Sequence, residues 1–121
     1  MSDPKLPLTD QMKLNAIQEP QELVEVAVSH KNPEVCKAAI DKLIKMDIIE
    51  DRKAILVCSI VKNTDKESVA KHAFEYCSVS KISVDVKYHM IKKSIDKVRF
   101  ESIRKQMQNW LDEKELLDGH K

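Results

Sequence analysis

The chain carries a single glycine, Gly119, in 121 residues. That scarcity constrains the fold more than any other feature, because tight β-hairpin turns and phosphate-wrapping loops both draw on glycine where other residues resist the backbone geometry. Four prolines add little further turn material, and Lys, Glu, Ile, Leu and Ala are abundant. A composition that is 42% apolar and 34% charged is that of a soluble globular chain with one core. An all-α single domain over residues 1–121 is the expected class.

No apolar run follows the Met1-Ser2-Asp3-Pro4 start, and the longest apolar-rich piece, Ala54 to Val61, falls far short of the ~20 residues that span a bilayer. Neither a secretion signal nor a membrane span is expected. The three cysteines, Cys36, Cys58 and Cys77, are odd in number, form no C-x-x-C pair and each lie in an apolar helical pattern. They read as reduced core thiols of a cytoplasmic protein.

Periodicity divides the chain into helices. Asn32-Pro33 is a cap followed by proline at the first helical position, and Val35, Ala39, Leu43 and Met46 recur behind it at helical spacing. Ahead of it Leu23, Val24, Val26, Ala27 and Val28 follow Pro20 and end at the polar link Ser29 to Lys31. Asp47 with Glu50 suggests a capping box leading into Ala54 to Val61, a helix expected to be buried on most of its circumference. Asp65 is the expected cap of the next helix, which turns Val69, Ala70, Ala73, Phe74 and Cys77 inward. After a break at Ser78 to Ser83, Val84, Tyr88, Ile91 and Ile95 mark another helix, and Asp96-Lys97 links it to Phe100, Ile103, Met107, Trp110 and Leu111, with a continuation through Leu116 and Leu117. Leu8, Met12 and Ile17, behind a Thr9 cap, read as a short lead-in helix.

A shift of 34 residues superposes the chain on itself. It aligns Leu23 with Val57 and Ile91, Val35 with Val69 and Ile103, Ala39 with Ala73 and Met107, and Leu43 with Cys77 and Leu111. The column Ile40, Phe74, Gln108 turns polar at its last member, as the outer face of a terminal repeat would. Three tandem helical hairpins are expected, at approximately 21–46, 50–78 and 83–112.

The stretch Asn32-Pro33-Glu34-Val35-Cys36-Lys37-Ala38-Ala39-Ile40-Asp41-Lys42-Leu43 resembles the second helix of a HEAT repeat: an acidic or amide cap, often proline, then Val, a basic residue, paired small residues and Leu. The resemblance implies a right-handed α-solenoid of about three hairpins behind the lead-in helix. The family's usual Asp is here Asn32, Lys66 and Phe100 in successive copies, and its usual Arg survives only as Arg104, so the residues for an Asp–Arg ladder between repeats are missing. Ala70, Phe74 and Cys77 also look somewhat like the second helix of a tetratricopeptide repeat, whose glycine and closing proline are absent here.

Catalytic and metal motifs are lacking at sequence level. His30, His72, His89 and His120 stand at no metal-ligand spacing, and the His-Glu ligands of HEAT-like metal-dependent hydroxylases are absent, the histidines being followed by Lys31, Ala73, Met90 and Lys121. No cofactor motif is present, and no enzyme activity is expected. Net charge is +1, but Lys81 to Lys105 holds eight basic residues against three acids. Under the 34-residue shift Lys37, Lys71 and Lys105 coincide, and one turn on so do Asp41, Glu75 and Asn109. The expectation is a non-catalytic interaction or adaptor module. Lys37, Lys71 and Lys105, with Asp41, Glu75 and Arg104 beside them, would bind a protein partner with an acidic segment. Nucleic-acid backbone binding through the basic C-terminal third is the alternative.

Overall fold

Helix propagates wherever the apolar stripe recurs, and in the computed structural model, which describes residues 8–118, seven α-helices and one 3₁₀ turn form with no strand among the described residues. They are α1 (Leu8–Ala16), α2 (Pro20–Ser29), α3 (Pro33–Lys45), α4 (Glu50–Asn63), α5 (Glu67–Val79), α6 (Val84–Ser94) and α7 (Glu101–Asp118), with the 3₁₀ turn Ile95–Lys97 between the last two. The β-branched run Ile82 to Val86 stays helical from Val84 onward, because Tyr88 and Ile91 continue the helical period into the core.

Short links force neighbours to pack, so α2 lies on α3, α4 on α5 and α6 on α7. The first helices of these pairs also pack in chain order, α2 on α4 and α4 on α6, and the second helices do the same, α3 on α5 and α5 on α7. Each repeat column supplies this seam. Leu23, Val57 and Ile91 are wholly buried, as are Ala39, Ala73 and Met107, and Val35, Val69 and Ile103 are nearly so. Alanine at the first two positions of the column Ala39, Ala73, Met107 leaves room for helices to approach closely. Gln108 is exposed where Ile40 and Phe74 are buried, so the last hairpin ends on a polar face.

Side-chain caps mark the starts of α3 and α6, whereas α2, α4 and α5 start without one and three expected caps do not form. Asn32 Oδ1 accepts from Glu34 N at 2.9 Å, and Ser83 Oγ accepts from Asp85 N at 3.2 Å. The expected Asp47–Glu50 box does not form: Ile49 occupies the cap position of α4 without a side-chain bond, because Glu50 turns its carboxylate to Tyr76 and Lys53 instead. Asp65 is not the cap of α5 either. Lys66 holds that place, its N–H donates to Thr64 Oγ1 at 3.2 Å, and the Asp65 carboxylate pairs with the Lys66 ammonium at 3.1 Å, which holds its pKa below the usual aspartate value.

The lead-in helix already includes Leu8, so Thr9 lies inside it rather than capping it, and Leu14 is its buried residue while Met12 is exposed. It packs on α3. The Lys42 ammonium reaches from α3 to donate to the carbonyls of Leu14 and Ile17 at 2.5 and 2.7 Å, closing the C-terminal end of α1. Ile95 leaves the α-helix for the 3₁₀ turn and is only partly buried, while Val98 in the following link takes the core position. α7 continues through Leu116 and Leu117 to Asp118; Gly119 and His120 lie outside the described residues.

Candidate functional site

Because α3, α5 and α7 begin at Pro33, Glu67 and Glu101, equal positions along them are 34 residues apart. The lysines Lys37, Lys71 and Lys105 are the fifth residue of each helix, and Asp41, Glu75 and Asn109 the ninth. Buried positions fall at the third, seventh and eleventh residues. Two residues along a helix is a rotation of about 200°, which turns both polar columns outward, but the fourth and eighth residues of α3 and α5 are buried as well, so the lysines stand at the edge of the outer face. α3 packs on α5 and α5 on α7; Lys37 and Lys71 meet at one depression, while Lys105 lines another with Glu101, Arg104 and Gln108.

The lysines are not equivalent in their contacts. Lys105 is freely exposed and pairs loosely with Glu101 at 3.9 Å. Lys71 is exposed and has no ion pair among the described residues. Lys37 is half-buried, drawn against Glu34 at 3.6 Å. Lys37, Ser68, Lys71, His72 and Glu75 together line an open depression of about 330 Å³ between α3 and α5. Neighbouring it, a groove of about 400 Å³ between α1 and α3 includes Asp41, Lys42 and Lys45.

Asp41, Glu75 and Asn109 are exposed beside the lysines. Asp41 is engaged: His72 Nε2 lies 2.7 Å from its Oδ1, joining α5 to α3. Arg104 belongs to a different task. Its Nη1 donates to the Val98 carbonyl at 2.6 Å, which ties α7 to its own preceding link.

Two other basic residues of the C-terminal third, Lys87 and Lys92, are also occupied. Lys87 is buried and donates from Nζ to the Ser78 carbonyl at 3.1 Å, and burial together with Lys114 pushes its pKa down. Lys92 lies over the Tyr88 ring at 5.4 Å.

Two contacts on other faces had no signal in the sequence. The Tyr76 hydroxyl donates to Glu50 Oε2 at 2.7 Å, holding that carboxyl below the usual glutamate value, while burial and the same carboxylate push the tyrosine up. Cys58 and Cys77 share a buried hydrogen bond between α4 and α5. It draws Cys58 down to about 7, with help from Ser94 Oγ at 3.4 Å, and, with burial, pushes Cys77 up. Burial also raises Cys36, and all three thiols are free and buried, which denies a reactant access.

Ser68 lies one turn before His72 on α5 but makes no hydrogen bond to it, so the nucleophile–base link of a serine hydrolase is not formed by Ser68, His72 and Asp41. Among the described residues no group of three or more His, Cys, Asp or Glu is placed to hold a metal ion, and no helix is long and apolar enough to cross a membrane. Comparison with family models, curated proteins and solved structures returns no match.

Proposed function

We propose that the chain is a non-catalytic interaction module, a HEAT-like α-solenoid of three hairpins behind a lead-in helix, whose second-helix face binds an acidic segment of a protein partner. The observation that carries this reading is the recurrence of lysine at the fifth residue of three directly packed helices, on the side away from the core each time. Two of the three pair only weakly with residues of their own helix, Glu34 and Glu101, and surface pairs of that kind contribute little. An incoming carboxylate can replace them at low cost. The sequential packing of first helices on first and second on second, and the polar end at Gln108, favour a stacked-repeat arrangement that would present the row as one surface.

The nucleic-acid alternative gains no comparable support. It draws on the eight cations of Lys81 to Lys105, of which Lys87, Lys92 and Arg104 already serve protein groups while Lys81, Lys93, Lys97 and Arg99 are exposed without forming a recurring row.

The test is a direct titration. A fluorescent glutamate-rich peptide should bind the purified chain and weaken with added salt, a lysine-rich peptide of equal length should not bind, and Lys37→Glu, Lys71→Glu and Lys105→Glu combined should abolish capture. Surface substitutions of this kind change stability by less than about 0.5 kcal/mol each, so circular dichroism should show the fold retained. Undiminished binding by the folded triple variant would refute the assignment.

A further inference from the structure

We infer that the groove between α1 and α3 is a second part of the binding surface, taking an aliphatic side chain of the same partner segment whose acidic residues meet the lysines. The inference rests on the preceding reading of the second-helix face as an acidic-partner surface and adds an apolar requirement to that partner.

A direct contact joins the two recesses. Asp41 lines the α1–α3 groove, His72 lines the depression that holds Lys37 and Lys71, and His72 Nε2 lies 2.7 Å from Asp41 Oδ1. One pair of side chains is therefore the wall between them, and a short segment laid across that wall enters both. The groove is the larger of the two, at about 400 Å³ against about 330 Å³.

The groove differs from the depression in its chemistry. Leu14 and Ala38 give it apolar surface, and Lys42 adds only its stem, because the Lys42 ammonium is turned to the carbonyls of Leu14 and Ile17. α1 extends that surface. Leu8, Met12 and Asn15 recur at spacings of four and three residues and so share one face of α1, and Asn15 lines the groove. Leu8 is 70% exposed and Met12 62%, so an aliphatic group seated beside Asn15 removes further apolar area from water.

Charge selects the occupant. Lys45 is exposed at the groove, and Lys37 and Lys71 stand beyond the Asp41–His72 wall. An aliphatic residue flanked by acids meets Lys45 on the groove side and the other two lysines across the wall, whereas one flanked by bases would bring like charge against all three. The exposed Asn15 amide carries both a donor and acceptors for the main chain of such a segment.

The experiment starts from the glutamate-rich peptide of the preceding test and places one leucine at each position in turn. A matched series carries serine there, so the two members of each pair have equal length and charge, and both are titrated by fluorescence anisotropy. At least one leucine peptide should bind about five- to tenfold more tightly than its serine twin, the effect of burying roughly half a leucine side chain. That ratio should hold as salt rises, while both affinities fall. Ala38→Phe, which fills the groove, should remove the leucine gain and leave the serine peptides unchanged. Because Ala38 also packs against the core, amide shift mapping of the unaltered chain gives a reading without a variant. The leucine peptide should add shifts at Gln11, Asn15, Ala38 and Lys45 to those that its serine twin causes near Lys37, Ser68 and Lys71. Equal binding of both series, lost with the lysines, would overturn the groove assignment while leaving the acidic-partner reading in place. A leucine gain with no added shifts at the groove would overturn it as well. A dimer of the free chain in analytical ultracentrifugation, broken by Ala38→Phe, would give the groove to a second copy, with the same consequence. Failure of every peptide to bind would overturn both readings.

Discussion

Ala39 and Ala73 are wholly buried where α3 and α5 meet their neighbours, and their small size sets how near the helices come. Replacing either with leucine adds three carbons to a filled space; Ala39→Leu or Ala73→Leu should each cost about 1–3 kcal/mol in urea unfolding. Two neutral results would show that the repeat columns were misassigned. The Tyr76–Glu50 bond is a different kind of single-residue effect, since it links two helices through a partly exposed carboxylate. Tyr76→Phe should lose about 0.5–1.5 kcal/mol at neutral pH, toward the lower end because Glu50 is solvated on one side. Because Glu50 is held below its ordinary pKa, chiefly by the Tyr76 hydroxyl, the unfolded state binds the proton more readily. The stabilisation is therefore complete above the ordinary glutamate range and disappears as pH falls through the lowered native value. Stabilities of wild type and Tyr76→Phe measured across mild acid should converge as pH falls; a gap that widened would contradict the bond's role. On the alkaline side the raised Tyr76 pKa acts in the opposite sense, its contribution being present below the ordinary tyrosine value and lost as pH rises through the native one.

Among the elements, α1 depends most on single contacts. Only Leu14 of its side chains is buried, and the helix is held to α3 by Lys42, with Asp10 3.6 Å from His30 as a second tie. Lys42→Met keeps the stem and removes the ammonium, leaving the Leu14 and Ile17 carbonyls without that donor. Amide hydrogen exchange across residues 8–17 should then accelerate while protection in α4 and α5 is unchanged; a uniform loss of protection would mean that α1 belongs to the cooperative core. The helices themselves were legible in the sequence because glycine is scarce, the apolar period is unbroken, and Asn32-Pro33 is a strong start signal. Element ends were less legible. Asp47, Asp65 and Thr9 all have capping chemistry, yet none caps: Glu50 bonds Tyr76 on another helix, α5 starts one residue later than an Asp65 cap would place it, and α1 starts ahead of Thr9. Val98 and Ile82 are buried in links, where no period marks them.

For the whole molecule, the 34-residue shift anticipated which residues would be buried together, since Leu23, Val57 and Ile91 or Val35, Val69 and Ile103 sit at matching places in packed helices. The same shift located the lysine row, because equal helix positions carry equal faces. It said nothing of the cross-helix contact between His72 and Asp41, nor of Arg104 turning back to Val98, since each depends on a partner chosen by tertiary packing. The central claim is that the row, rather than the basic run from Lys81 to Arg99, receives an acidic ligand. Amide chemical-shift mapping of a labelled chain with the glutamate-rich peptide tests it most directly. The largest shifts should cluster at residues 37, 71 and 105 and their neighbours one turn along α3, α5 and α7; shifts confined to residues 81–99, or scattered over all exposed lysines, would contradict it.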